Sequence, residues 1–309
     1  MPSISGIADL TFIVLTKNEE DNLPACLQSV HGWVKEIFIV DSGSTDSSLS
    51  IAEEYGAKIF THVFESHSKQ WNWALHNLPI GTDWVLALDA DQRVTPELAQ
   101  EIVDFINGPS SAKVDGCFIK RRQIFRGKWI KHGGYYPKYL LKIFRLSKVW
   151  IDETDLVDHH FRVNGNTLKL RNDISEDNQN EADISMWIEK HNRYAALQAL
   201  EENRSSMKVT GPGAEASFWG TPDQKVLWQK SVWSKLPLYL RPFIYFTQRY
   251  FFKLGFLDGK EGFIFHFLQA FWYRLLVDIK LDELRHKKVL ELNDTSSKQA
   301  AAKRISNKA

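Results

Sequence analysis

Short runs of aliphatic and aromatic residues alternate with segments of helical spacing over the first 110 residues, and few folds accommodate that alternation. Residues 11–15 (Thr-Phe-Ile-Val-Leu), 36–40 (Glu-Ile-Phe-Ile-Val) and 83–88 (Asp-Trp-Val-Leu-Ala-Leu) are nearly unbroken apolar runs rich in strand-forming types. They read as strands buried on both faces. Residues 58–63 predict another strand. Between the strands, residues 19–30 put Leu23, Leu27 and Val30 on one helical face, and residues 45–55 read as a helix closed by Gly56. Helices are also expected over 69–77 and 96–106, the latter with Pro96 near its first position. Strand and helix joined by short connections predict an α/β fold: a Rossmann-like, mostly parallel central sheet flanked by helices.

Ligands bind such sheets beyond the carboxyl ends of the strands. Polar clusters fall at those places: Thr16-Lys17-Asn18-Glu19 after the first strand, Asp41-Ser42-Gly43-Ser44-Thr45-Asp46 after the second, and Asp89-Ala90-Asp91 after the strand ending at Leu88. Two carboxylates one residue apart can approach one hard cation, Mg²⁺ or Mn²⁺, and leave coordination positions for phosphate oxygens. A lone Asp-x-Asp is far more often a solvated turn. Asp41 can accept from a base N–H, or it can hold an Asx-turn while Ser44, Thr45 or Asp46 caps the next helix. Asp46 reads as the cap and Asp41 as the ligand group. Thr16 to Glu19, taken alone, read as a plain turn.

In combination, LTKNEEDNLPACLQSV, EIFIVDSGSTDSS and WVLALDADQRV, in this order and spacing, resemble the nucleotide-binding half of family 2 glycosyltransferases, which have the GT-A fold. The resemblance covers residues 10–110 strongly and extends more weakly to about residue 285. There KQWNWAL (69–75), RGKWIKHGGYYPKYLLKIFR (126–145) and GFLDGKEGF (255–263) resemble bacterial enzymes of lipopolysaccharide core and surface polysaccharide synthesis. The resemblance implies an inverting, metal-dependent transfer of a sugar from a nucleotide-sugar donor, a UDP-sugar by family habit, to a glycan or lipid-linked glycan acceptor. Thr16, Asn18 and Glu19 would line the nucleoside pocket, Asp41 would bind the base, and Asp89 would meet the ribose or the metal. Gly43, Lys69 and Ala90 join that set. Asp91, with Asp89, would hold Mn²⁺ or Mg²⁺ against the diphosphate.

An inverting transferase needs a general base for the acceptor hydroxyl. Relatives show His-Glu or Asp-Glu where this chain has Asp158-His159-His160. The choice falls on Asp158, with Glu153 and His159 as rivals. Relatives also carry a metal-assisting His further on; residues 171–177 contain none, which leaves a carboxylate such as Asp177 as the substitute. Lys120, Arg121, Arg122, Arg126, Lys128 and Lys131 form a basic cluster that reads either as a solvated face or as an anionic acceptor site. On the second reading Arg126 faces the acceptor, and Trp129, Tyr135 and Tyr136 offer rings to a sugar.

The sequence divides into an expected catalytic domain over 1–204 (nucleotide half about 10–110, acceptor half about 111–204), a linker over 205–224, a helical membrane-associating segment over 225–290 and a disordered tail over 291–309. The middle, 114–175, with runs CFIKRR, YLLKIFRL and TLKLRN, predicts a mixed extension of the sheet. Residues 225–288 hold twelve basic and five acidic side chains and sixteen of the aromatic ones. Basic residues interrupt every apolar stretch, so none reaches the ~20 apolar residues of a spanning helix. Helices lying in a membrane interface fit instead, on the inner membrane surface, against the plain alternative of aromatics packed on the domain. The chain's net charge of +1 argues against a dedicated nucleic-acid binder. Two cysteines exclude a disulfide framework, and the first ten residues lack a signal-peptide pattern. A reduced cytoplasmic protein, peripheral on the membrane, is expected; the oligomeric state stays open.

Two other readings compete. A sugar-phosphate nucleotidylyltransferase shares a related sheet but opens on a glycine-rich loop, and Thr16-Lys17-Asn18-Glu19 has no glycine. A degenerate nucleotide-binding scaffold at the membrane would have lost Asp41, Asp89 or Asp91, and all three are present.

Overall fold

The computed structural model describes residues 4–153, 160–181, 183–204, 217, 219, 222–233 and 235–287. They form two compact units: Met1–Ile188 with Thr247–His266, and Glu189–Phe246 with Phe267–Ala309. The expected linker and tail lie almost wholly outside the described residues.

The first unit is built on one nine-stranded sheet. Its leading half is β1 (Ala8–Thr16), β2 (Val34–Asp41), β3 (Lys58–Thr61) and β4 (Trp84–Asp89), ordered β3-β2-β1-β4 and parallel throughout. The apolar runs are continuous because both faces are covered. Phe12, Val14, Ile39, Leu86 and Leu88 pack on one side with α1 (Leu23–Val30) and α4 (Pro96–Asn107). Ile13, Phe38, Val40, Val85 and Ala87 point the other way, toward Trp71, Ala74 and Leu75 of α3 (His67–Asn77). Full burial of each large apolar side chain contributes about 1.5–3 kcal/mol, so a charge at Ile13 would undo a whole layer.

Helix starts follow local chemistry. Thr95 caps α4 by accepting from the Leu98 N–H (3.3 Å), with Pro96 in the first turn. α2 (Ser48–Glu54) begins two residues after Asp46, whose carboxylate accepts from the Ser48 N–H (3.0 Å), as the expected cap would.

Beyond β4 the sheet becomes mixed. β8 (Lys138–Arg145) runs antiparallel to β4 and to β6 (Gly116–Phe125); β11 (Thr167–Glu176) lies parallel to β6; and the short β5 (Gln92–Val94) closes the edge antiparallel to β11. β7 (Lys128–Ile130) makes a hairpin with β6, while β9 (Val149–Ile151) and β10 (Phe161–Val163) pair separately. The three runs read from the middle region are thus β6, β8 and β11.

Residues 247–266, from the stretch expected to associate with membrane, belong to this unit, where α8 (Gly259–His266) packs Phe265 against Phe125 and Tyr135.

The second unit is helical: the later turns of α5 (Ile184–Arg204), then α6 (Pro222–Trp233), α7 (Arg241–Thr247) and residues 273–287. Ala195 and Ala199 pack with Tyr273, Val277 and Leu281. Arg241, almost fully buried, pairs with Asp278 and with Glu202 (2.8 Å) and lies 4.7 Å from the Trp233 ring. No described helix is long and apolar enough to cross a membrane.

Candidate active site

Strand register assembles the polar clusters. Thr16 pairs with Asp41 across β1 and β2, and Leu15 pairs with Asp89 across β1 and β4, so three chain segments end side by side at the carboxyl edge. The β1 and β2 loops are laced together. Asn18, at φ 54°, uses the left-handed region that asparagine tolerates. Its N–H donates to Ser44 Oγ (2.9 Å) and its Oδ1 accepts from the Thr45 N–H (2.8 Å). The Glu19 N–H donates to Ser48 Oγ (2.8 Å).

Asp41 is buried and fully engaged. Oδ2 accepts from the N–H groups of Gly43 (2.8 Å) and Ser44 (3.0 Å); Oδ1 accepts from the hydroxyls of Ser44 (2.5 Å) and Thr16 (3.3 Å). Two donors on each oxygen fill the in-plane lone pairs. The Asx-turn thus takes the acceptor capacity that the ligand reading assigned to a base. Gly43 sits at φ 85°, which a side chain would strain.

The β4 end differs. Asp89 is one-third exposed, and its Oδ2 accepts from Lys142 Nζ (2.9 Å), a lysine almost fully buried in β8. The Asp89 N–H donates to Gln92 Oε1 (3.2 Å), and Gln92 donates to Glu176 (2.7 Å), which Arg121 also holds. Asp91 is half-buried, and its carbonyl accepts from the Asp177 N–H (3.0 Å). Ala90 turns its methyl into the core. The Cys26 thiol beneath is pushed up by burial first and then by the negative fields of Asp91 and Asp89. A cation would relieve that field, and two carboxylates are the hard donors Mg²⁺ or Mn²⁺ prefers. Among the described residues no three His, Cys, Asp or Glu side chains converge on one metal position. Asp177, considered as a third ligand, is paired with Arg93 (3.0 Å).

Several side chains at these loops lie outside the clusters read from the sequence. Lys142 and Gln70 are two; Gln70 ties α3 to the β2 loop through Ser42 Oγ (3.0 Å) and braces His62 (2.7 Å). Residues 178–180 are the third: Asn180 donates to Glu19 (3.0 Å), and Asn178 accepts from Asn22, which also donates to Glu19 (2.8 Å). A conspicuous asparagine-rich turn after β11 was the available hint.

The other expected residues are scattered. Lys69 is exposed and pairs with Glu65 one helical turn away. Glu153 is exposed and accepts from Asn72. Asp158 and His159 lie outside the described residues. Arg126 is exposed in the β6–β7 turn at φ 50°. Trp129 lies under Arg122 (5.0 Å) and Lys131 (5.5 Å), edge-on to Tyr136. The Tyr136 hydroxyl donates to Asp173 (3.0 Å), which also pairs with Arg122 (2.7 Å) and Lys120 (3.4 Å). Tyr135 is half-buried, packed between Arg249 (4.4 Å) and Phe265 (4.7 Å).

The sequence profile of glycosyl transferase family 2 matches residues 11–164, about half of the chain, and spans the ends of β1, β2 and β4. The chain belongs to glycosyl transferase family 2. Its parallel leading half with a mixed extension is the GT-A arrangement that the sequence resemblance implied. An uncharacterized glycosyltransferase of Rickettsia felis is 36% identical over 93 residues, 30% of this chain and 32% of that protein. The chain thus matches about a third of the length of that relative. Lipopolysaccharide core biosynthesis glycosyltransferase LpsC of Rhizobium meliloti is 24% identical over 278 residues, 84% of this chain and 90% of that one. Among solved structures, the mannosyltransferase PcManGT from Pyrobaculum calidifontis, in complex with GDP-Man and Mn²⁺, aligns with a TM-score of 0.47 at 14% identity, covering 91% of this chain and 89% of that chain.

Proposed function

We propose that the chain transfers a sugar, with inversion, from a nucleotide-sugar donor (a UDP-sugar in the first instance) to a glycan or lipid-linked glycan acceptor at the inner membrane surface, in lipopolysaccharide or polysaccharide synthesis. The observation that carries the reading is the register that sets Thr16, Asp41 and Asp89 side by side at the carboxyl edge of three parallel strands. Asn18 and Glu19, on the loop after β1, would border the nucleoside. The Asp41 network fixes the loop whose Gly43 to Thr45 backbone would pass beside it.

Asp91 and Asp89 would hold Mn²⁺ or Mg²⁺, the remaining ligands coming from the donor diphosphate and water; the ion supplies charge stabilisation to the departing nucleoside diphosphate. Lys142 orients Asp89 and puts a second positive charge beside the leaving group. Asp158 is the proposed base, removing the acceptor proton as the hydroxyl attacks opposite the leaving diphosphate; Glu153 and His159 are its rivals. LpsC, similar over most of both chains, supports the pathway assignment.

The test is an assay of nucleoside diphosphate release from a panel of nucleotide sugars, with Mn²⁺ or Mg²⁺ and a lipid-linked or core-oligosaccharide primer. Release that requires metal and one donor is expected, with the product anomer inverted. No release with any donor, or retention at the anomeric carbon, would overturn the reading. Asp158→Asn at full turnover would remove that residue as the base.

A further inference from the structure

In the first unit, residues 251–263 present a run of apolar side chains to solvent. Phe251, Phe252, Leu254, Phe256, Leu257 and Phe263 are all exposed, Phe252 at 80%, Phe251 at 55% and Leu257 at 54%. Six such residues within thirteen positions form more than the scattered apolar exposure of an ordinary surface. Leu254 stands at φ 58°, a left-handed conformation that costs a leucine about 1 kcal/mol or more. Glycine or asparagine would hold that turn with less strain, so the sequence keeps an exposed aliphatic side chain at an unfavourable backbone position.

The stretch has a rigid foundation within the same unit. Asp258, buried, accepts from the His132 N–H (2.9 Å) and lies 2.7 Å from His132 Nδ1. The Gly133 N–H donates to the Lys253 carbonyl (2.8 Å), and Arg249 donates to the Gly133 carbonyl (2.8 Å) while stacking on Tyr135. The His266 ring is wedged where any side chain on Gly133 or Gly255 would collide with it. The apolar tip is therefore fixed to the β7–β8 loop, and Tyr136 of that loop is bonded to β11 through Asp173.

Its charge is one-sided. Lys253 and Lys260 are exposed within the stretch, and Lys128 and Lys131 are exposed beside its anchor, with Lys128 Nζ 3.1 Å from where a Gly259 side chain would start. Against them stands Glu261, because Asp258 is consumed by His132. Exposed rings and aliphatics among lysines complement an anionic bilayer: the apolar groups enter the headgroup boundary and each lysine adds about 1 kcal/mol near a negative surface.

We propose that Phe251 to Phe263 form a membrane-docking wedge that inserts into an anionic phospholipid surface and holds the catalytic unit at a fixed height over it. This rests on the lipid-linked acceptor reading and names the surface through which such an acceptor would be met. The test is flotation of the full chain with vesicles of phosphatidylcholine alone or with added phosphatidylglycerol. Binding to the phosphatidylglycerol vesicles, weakened by high salt, is expected. The double variant Phe252→Ser with Leu257→Ser should bind them at least about tenfold more weakly, since two apolar side chains no longer leave water, with its melting temperature unchanged. Absence of wild-type binding, equal binding by the variant, or equal binding to uncharged vesicles would overturn the wedge. So would a dimer in sedimentation that the double variant dissociates, since a second copy would then cover the patch. Nucleotide-induced stabilisation, measured on the same samples, separates the outcomes: if it persists while vesicle binding fails, the wedge falls and the donor site stands.

Discussion

Asp41 and Asp89 occupy matching places, each the last residue of a parallel strand beside β1, yet their surroundings differ. Asp41 is buried, with four donors on two oxygens, supplied by the end of β1 and by its own loop. Asp89 is one-third exposed, with Lys142 on Oδ2 and Asp91 two residues on. Acids with the same sequence signature thus sit in different settings: the β2 end holds the loops in shape, and the β4 end is partly open to solvent beside Asp91.

Substitutions can break that comparison. The largest effect is expected at the β4 end: Asp91→Asn should lower turnover by about 10²–10³-fold, the scale of losing one electrostatic stabiliser of the departing group, and leave the melting temperature nearly unchanged. At the β2 end the order reverses. Asp41→Asn replaces a charged acceptor of four hydrogen bonds with a neutral amide, which keeps the two N–H donors only if both hydroxyls rotate to accept from its NH₂, so thermal or urea unfolding should show a loss of about 1–3 kcal/mol. A stable Asp41→Asn protein with lost nucleotide affinity would instead make Asp41 a direct ligand and erase the contrast. Lys142→Met removes the group that orients Asp89; metal affinity, read by titrating Mn²⁺ against activity, should weaken about 10–100-fold.

The smallest effect concerns a third buried group. His266 has no hydrogen-bond partner on either nitrogen and faces Arg249, Asp258 and His132. Burial first, and then Arg249, push its imidazole down to about 4 from 6.5. The unfolded chain therefore binds the extra proton between these values, so stability is complete above about pH 6.5 and is lost as pH falls toward 4. Between pH 7 and 6 the loss should be under about 1 kcal/mol, and His266→Asn should flatten that slope in pH-dependent melting.

Much of the strand architecture was legible in the sequence, because a strand buried on both faces must be a continuous apolar run and its end is marked by the first polar cluster. The ends of β1, β2 and β4 at Thr16, Asp41 and Asp89 stand out that way. The Asx-turn at Asp41 was visible as an alternative, but the sequence could not weigh it, since two of the four donors come from Ser44 and a third from Thr16 on another strand. Lys142 was hidden because it reads as one cation interrupting an apolar run; only the antiparallel pairing of β8 with β4 aims it at Asp89. The packing of Tyr135 was hidden for the same reason, its neighbours Arg249 and Phe265 arriving from more than a hundred residues away. The aromatic and basic content of 225–288 was plain, whereas its division between two units was not, because composition carries no information about which turns dock where.

The most direct measurement is thermal stabilisation of the wild-type chain and of Asp91→Asn by nucleoside diphosphates and nucleotide sugars, with and without Mn²⁺ or Mg²⁺. At 100 times its dissociation constant, a ligand should stabilise the wild type by about 2.7 kcal/mol. Metal-dependent stabilisation by one nucleotide class, abolished in Asp91→Asn, is the expected result. No stabilisation by any nucleotide, or the same metal-dependent shift in both proteins, would contradict the assignment of the β4 carboxylates to the donor.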